Sequence, residues 1–486
     1  MDFAAVNLFL MLCYLRPHEW IGLVQSIRLT AFSLVFAIVA TFMRERGFTL
    51  KSMFRTPHDW MVYFYFGWII LASLAFLTAW KAVYAYGLYY LVAVQALSSL
   101  RRIELFLRWW AVVLLSVCLF ALASEFGFDP TGAADFTHGR MKGRLVLMLS
   151  IFNNPNALGH GVVPTIIMLY FLLIWKRPIF AKIFAIPLMV LPIACLYLTQ
   201  SKGAFLAAFA GILFALTFGR PKIVQGLIVL AACTVGWGSM SMLPRMHELD
   251  RSASDQAIQG RVAAFKFGLK SLHNSVRGLG IAQFEPRFES EHHYFKSSHS
   301  AYVEIGAEFG WIGLTLFLGI LYCCYRTLLT CRTRTVEEER SRRILFTMLV
   351  THTVSCWMVD FAWRASFFLM VGTIAAFHRQ LLGMEQQTVV KEAEPLMAVP
   401  VLAPLTLEPS RFGLPEPLTT AGPGVFAMQR PREDEYRPTI INIDSSTEPP
   451  PYKGIGWNRI GLLDITLLII ISLAWERLWR YLIHVV

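Results

Sequence analysis

Apolar residues in this chain come in uninterrupted blocks rather than at strand spacing. The blocks run approximately 3–14, 29–43, 60–79, 83–98, 105–124, 157–175, 183–199, 203–219, 223–243, 309–329, 344–361 and 365–381. Most approach the ~20 residues with which an α-helix crosses a hydrocarbon core of roughly 30 Å. Strands of a transmembrane barrel would instead alternate polar and apolar positions over about ten residues. The pattern predicts an all-α fold, a polytopic transmembrane bundle of about twelve core spans. The first block is short and reaches full length by tilting or by starting nearer Met1.

Two segments break the pattern. Residues 244–308 form a long polar loop, a length that is uncommon unless the loop carries function. Residues 385–459 are rich in proline, with Pro395, Pro400, Pro404, Pro449, Pro450 and Pro451 among dispersed charges, and are expected to stay disordered. Residues 460–486 close the chain with the apolar run Ile460–Ala474, followed by Trp475, Arg477, Trp479 and Arg480. That run is either a thirteenth span or an interfacial helix. The expected organisation is thus 1–243 and 309–384 as membrane helices, 244–308 as an outside helical loop, 385–459 as tail and 460–486 as a terminal hydrophobic segment.

Composition narrows the class. Only 16% of residues are charged and 56% are hydrophobic, with mean hydropathy +0.52, against about 25% charged in soluble domains. A soluble enzyme, a secreted disulfide scaffold and a disordered chain are excluded. The net charge of +12 lies between the apolar blocks rather than in one stripe, so no nucleic-acid partner is expected. With Met1 inside, the loops carrying Arg44, Arg55, Arg101, Arg102, Lys176 and Arg177 are cytoplasmic, while Trp80–Ala82 and Gln200–Ser201 are short outside loops. Positive charge then lies inside throughout. The apolar start is expected to be a retained first span.

Candidate chemistry concentrates on the outside loops. Gln256–His273 predicts an amphipathic helix with Ile258, Val262, Phe265, Leu269 and Leu272 on one stripe, capped by Ser254 or Asp255. Arg261 borders that stripe, whereas Lys266 and Lys270 face water. Arg261 either snorkels beside the apolar face or meets an anion. His299 falls where the next helix begins, a setting that favours the neutral imidazole and hence a proton acceptor; a hydrogen-bonding loop residue is the plainer alternative. Lys202 places a cation at the outer boundary, as an interfacial anchor or a ligand contact. Arg140, Lys142 and Arg144 run against the inside bias, which either solvent or an anionic ligand offsets. The pair His292-His293 with Glu289 and Glu291 lacks the spacing of a helical two-His metal set, so no metal or other cofactor is expected. No phosphate-binding glycine loop or DxD-like nucleotide-sugar pattern occurs.

In order along the chain, Asn153-Asn154-Pro155-Asn156-Ala157-Leu158, Thr199-Gln200-Ser201-Lys202-Gly203-Ala204, Gly260-Arg261, Gly278-Leu279-Gly280 and Ser298-His299-Ser300-Ala301-Tyr302, running on to Glu308-Phe309-Gly310-Trp311, resemble the bacterial O-antigen ligase/polymerase family. The resemblance covers about residues 30–380. It implies a GT-C-like, metal-independent, inverting inner-membrane enzyme that moves a glycan from a polyprenyl-diphosphate donor to a glycan, lipid A-core or protein acceptor on the periplasmic face. It also implies His299 as general base and Arg261 as the diphosphate-contacting arginine. Lys202 stands where the family usually has arginine, with Arg140 or Arg144 assisting, and Ser300 stands where asparagine is commoner. A ligase leads; a repeat-unit polymerase needs the same groups. A solute transporter is the alternative of another class, and the Pro-rich tail leaves room for an added scaffolding role.

Overall fold

The computed structural model describes residues 1–45, 49–73, 76–240, 256–397 and 457–485. Every regular element among them is helical. Before the polar loop come α1 (Asp2–Leu15), α2 (Pro17–Trp20), α3 (Leu29–Glu45), α4 (Leu50–Met53), α5 (Pro57–Ala72), α6 (Phe76–Ala96), α7 (Leu100–Ser124), α8 (Ala133–His138), α9 (Pro155–Leu169), α10 (Ile179–Thr199), α11 (Lys202–Thr217) and α12 (Lys222–Met240). The loop contains α13 (Gln256–Asn274) and α14 (Phe284–His292); α15 (Ala301–Thr330), α16 (Val336–Ser355), α17 (Ala365–Met397) and α18 (Leu462–Val485) follow. Expected caps Ser254 and Asp255, and residues 398–456 of the Pro-rich tail, lie outside the described residues.

By length and composition, Leu100–Ser124, Pro155–Ile174, Ile179–Thr199, Ala301–Thr330 and Ala365–Gly383 can each cross a membrane. Leu29–Arg44, Lys202–Thr217 and Lys222–Thr234 are shorter apolar helices. The chain is a multi-pass membrane protein.

Helix starts follow local chemistry. Ser99 accepts from Arg102 N–H at 3.2 Å, Asn154 from Asn156 N–H at 2.8 Å and Thr335 from Glu338 N–H at 3.1 Å, each satisfying a first-turn donor that the helix itself leaves orphaned. Pro155 at the first position of α9 adds a preset backbone angle.

Three boundaries differ from the hydrophobicity pattern. Trp80–Ala82, expected as an outside loop, lies inside α6, because one exposed lysine can extend its stem along a helix without ending it. The block 344–361 is helical only to Ser355. This leaves Asp360 on a turn, where its carboxylate escapes burial in lipid. Residues 385–397, expected in the tail, continue α17, where Glu, Gln, Lys and Ala are good helix formers.

The chain divides into two compact units, Met1–Leu382 with Gly454–Val486, and Gly383–Lys453. Within the first, α18 runs antiparallel to α15. Asp464 accepts from Tyr322 Oη at 2.7 Å and pairs with Arg326. Leu468 packs at Gly319, and Trp479 packs at Gly306. From Arg326 to Gly306 the two helices stay together for about 30 Å at about 1.5 Å per residue.

Candidate functional site

His299 sits one residue before the start of α15 in left-handed backbone, φ 49°, a region that costs a non-glycine residue roughly 1–3 kcal/mol. Its neighbours hold it there. The buried Ser298 hydroxyl accepts from Ser300 N–H at 3.3 Å and donates to Ser300 O at 3.2 Å. Ser300, fully buried, caps α15 by accepting from Val303 N–H at 3.5 Å and donates to Cys356 O at 3.1 Å. Ala301 N–H donates to the same carbonyl at 2.8 Å. The histidine turn is therefore fastened to the turn after α16.

The two glycine-bearing motifs interlock just beyond it. Gly310 has φ 64° and ψ −165° and breaks α15 into two segments. The carbonyls of Ala307 and Glu308 at this break accept from Leu279 N–H at 2.9 Å and Gly280 N–H at 2.8 Å. Gly278 also has positive φ, and a Cβ there would stand 2.6 Å from Phe309 N. Only glycine fits both the backbone angle and the space.

Helix α13 brings Arg261 within electrostatic reach of His299, but with a different buried face from the one expected. Gly260, Ala264, Phe267, Gly268, Ser271 and the stripe residue Leu272 are buried, while Val262, Phe265 and Leu269 are half-buried. The centre of the buried face is thus rotated by about 120° from that of the apolar stripe, with Leu272 common to both, at about 100° per residue. Close approach explains it: the small residues Gly260, Ala264 and Gly268, four apart, form a seam that lets α15 come near. A Cβ on Gly268 would stand 2.6 Å from Val303 Cγ1. Lys266 and Lys270 are exposed as expected, Lys270 pairing with Glu291 at 2.6 Å. His292 stacks on Phe288 at 4.2 Å.

Gly260 also explains the Gly-Arg pair. A Cβ at this position would lie 2.8 Å from Lys296 Nζ, so the glycine admits the Lys296 ammonium against α13, next in sequence to Arg261. Half-buried His299 has its pKa lowered below 6.5 chiefly by desolvation, then by Arg261; Lys296 lowers it further and Asp360 opposes them. Its imidazole is therefore neutral near pH 7 and competent to accept a proton. Lys296 and Asp360 were not singled out from the sequence. Lys296 carries a weak signal, being three residues before His299; Asp360 was hidden inside an apolar block.

The remaining cations differ in kind. Half-buried Lys202 opens α11 behind its cap Ser201 and makes no ion pair among the described residues. A cation there opposes the positive end of the helix dipole and suits an incoming anion. The next residue, Gly203, would place a Cβ 3.0 Å from His160 Nε2 and 2.9 Å from Met358 Cβ. His160 lies 2.8 Å from Ser355 Oγ and within electrostatic reach of Arg261. Arg144 ties motifs together: Nε donates to Thr199 O at 3.1 Å and Nη2 to Asn156 Oδ1 at 2.8 Å. Arg140 is exposed over the Phe136 ring, and no described contact joins it to the groups around His299. A cavity of about 230 Å³ borders the histidine turn, with Ser297, Ser298, Glu285, Glu304, Glu308 and Asp360 in its wall. Its oxygens are hydrogen-bond acceptors suited to hydroxyl groups.

Residues 187–318 match the O-antigen ligase family. No curated protein matches the chain. The O-antigen ligase segment contains Lys202, Arg261, Lys296 and His299, together with both interlocking glycine motifs. Arg144, His160, Asp360 and all of α18 lie outside it.

Proposed function

We propose that this enzyme transfers a glycan from a polyprenyl-diphosphate carrier to an acceptor hydroxyl at the periplasmic face of the bacterial inner membrane, with inversion and without a metal ion. The observation that carries the reading is the meeting of a neutral imidazole, His299, with the cations Arg261 and Lys296 inside a segment that matches the O-antigen ligase family. His299 takes the proton of the attacking hydroxyl, a contribution typically of 10²–10⁴. The hydroxyl oxygen bonds to the anomeric carbon as the bond from that carbon to the diphosphate breaks, and the electron pair leaves with the diphosphate. Arg261 and Lys202 neutralise the growing negative charge, assisted by Lys296; each tenfold in rate corresponds to about 1.4 kcal/mol. Lys202 contributes charge without the bidentate fork of arginine. Arg140 and Arg144, also expected at the diphosphate, are assigned no step. The acceptor enters from the polar cavity beside Ser297 and Ser298. Twelve core spans place these groups over the outer leaflet, and α18, lying along α15, makes a thirteenth crossing.

The test is His299→Ala in the full chain, with glycan transfer measured in membranes and expression and insertion checked in parallel. Transfer should vanish while insertion persists; full transfer in this variant would refute the assignment. Glycan analysis of a deletion strain then separates the acceptors. Full-length polymer accumulating on the carrier indicates a ligase, and single repeat units indicate a polymerase.

A further inference from the structure

The C-terminal helix touches each of the parts that hold the reaction centre together, although it lies far along the chain from the O-antigen ligase segment. Trp479 is fully buried, the most enclosed side chain of α18. It occupies the crossing of α13 and α15: Gly268 on α13 and Gly306 on α15 would place Cβ atoms 3.0 and 2.9 Å from its ring. Its Nε1–H donates to Phe265 O at 3.2 Å, one turn along α13 from Arg261. Trp475 stacks on Trp357 with centroids 5.6 Å apart and meets Tyr302 edge-on at 4.9 Å. Trp357 adjoins Cys356, whose carbonyl anchors the His299 turn. Glu476 adds a contact with His273 at 3.2 Å, near the other end of α13.

Phe265 and Arg261 are four residues apart on one rigid helix, so a shift of α13 at the tryptophan is transmitted to the arginine. The glycines leave no alternative packing: with the indole removed, nothing on α13 or α15 fills the space, and the helices can close or tilt. Misplacement by about 1 Å can cost on the order of 10²-fold in rate.

We propose that Trp479 is a positioning residue, which holds α13 against α15 so that Arg261 stays beside His299, and that the C-terminal helix thereby completes the reaction centre. The proposal rests on the transfer reading given above. Its test uses the full chain in membranes and compares Trp479→Ala, Arg261→Ala and the double variant. Trp479→Ala should lower transfer by about 10–10²-fold, and the double variant should be no worse than Arg261→Ala, because the indole acts through the arginine. The acid limb of the pH–rate profile provides a second readout. His299 is faced by Arg261, Lys296 and Asp360, and moving Arg261 away should shift that limb to higher pH in Trp479→Ala. Gly268→Ala presses on Val303 and Trp479 without removing apolar surface; it should reproduce both effects and guards against a loss of folding in the tryptophan variant. Additive losses, an unmoved acid limb, or wild-type transfer in Trp479→Ala and Gly268→Ala would each overturn the proposal. If His299→Ala and Arg261→Ala themselves keep full transfer, it is the transfer reading that fails.

Discussion

Replacing Gly310 with alanine tests how the glycine motifs hold the candidate site. Gly310 adopts φ 64° and ψ −165°, a region essentially reserved to glycine, where another residue costs about 1–3 kcal/mol. A Cβ would also overlap the Val276 carbonyl, with its carbon 2.8 Å and Ser275 O 2.9 Å away. These are backbone atoms that cannot rotate aside, and overpacking of this kind costs typically about 1–3 kcal/mol. Together the penalties come to roughly 2–6 kcal/mol, enough to displace the 275–280 turn from the Ala307 and Glu308 carbonyls. Gly67 on α5 is the control, since its Cβ would meet nothing within 4 Å; alanine there should stay within about 1 kcal/mol of wild type and tends to favour the helix. Thermal unfolding of the detergent-solubilised protein and glycan transfer in membranes are the two measurements. Gly310→Ala should melt several degrees lower and lose transfer, with Gly67→Ala unchanged. Equal melting of the two variants, with transfer intact in both, would show that the kink is not what fastens the turn.

The electrostatics of His299 give a pair of opposed outcomes. As a base it must be neutral, so activity falls as pH drops through its pKa. Arg261 holds that pKa down and Asp360 holds it up; Arg261→Gln should therefore move the acid limb of the pH–rate profile to higher pH, and Asp360→Asn to lower pH. Movement of both in the same direction would contradict the arrangement. Arg144→Met removes the bonds to Thr199 O and Asn156 Oδ1 and should destabilise the chain by about 1–3 kcal/mol, half-burial moderating the value for charge-assisted hydrogen bonds. Unchanged melting with lost transfer would mean instead that Arg144 serves the diphosphate.

The helical, multi-pass character was legible because a hydrocarbon core tolerates only long apolar segments with internally satisfied backbones. Each apolar block overlaps a helix among the described residues, although block 60–79 is shared between α5 and α6 and block 344–361 is helical only to Ser355; the amphipathic helix of the long loop ends within a residue of its expected limit. Arg261 and His299 were also accessible as residues, through the ordered motifs that carry them. What those motifs do to one another was not. Gly260, Ala264 and Gly268 read as weak positions in a scale of hydrophobicity, yet they lie on the buried face of α13 beside Phe267 and Leu272, because close packing rewards small size as well as apolar area. Asp360 and Lys296 join His299 only through folding, one from a turn hidden at the end of an apolar block and the other through the space left by Gly260. Trp479 is the extreme case. Its residue type indicated an interface, but its burial between Gly268 and Gly306 depends on contacts across some 170–210 residues of chain. Periodicity records which solvent each segment faces; the partner each segment meets there is decided by shape and charge that only the folded bundle brings together.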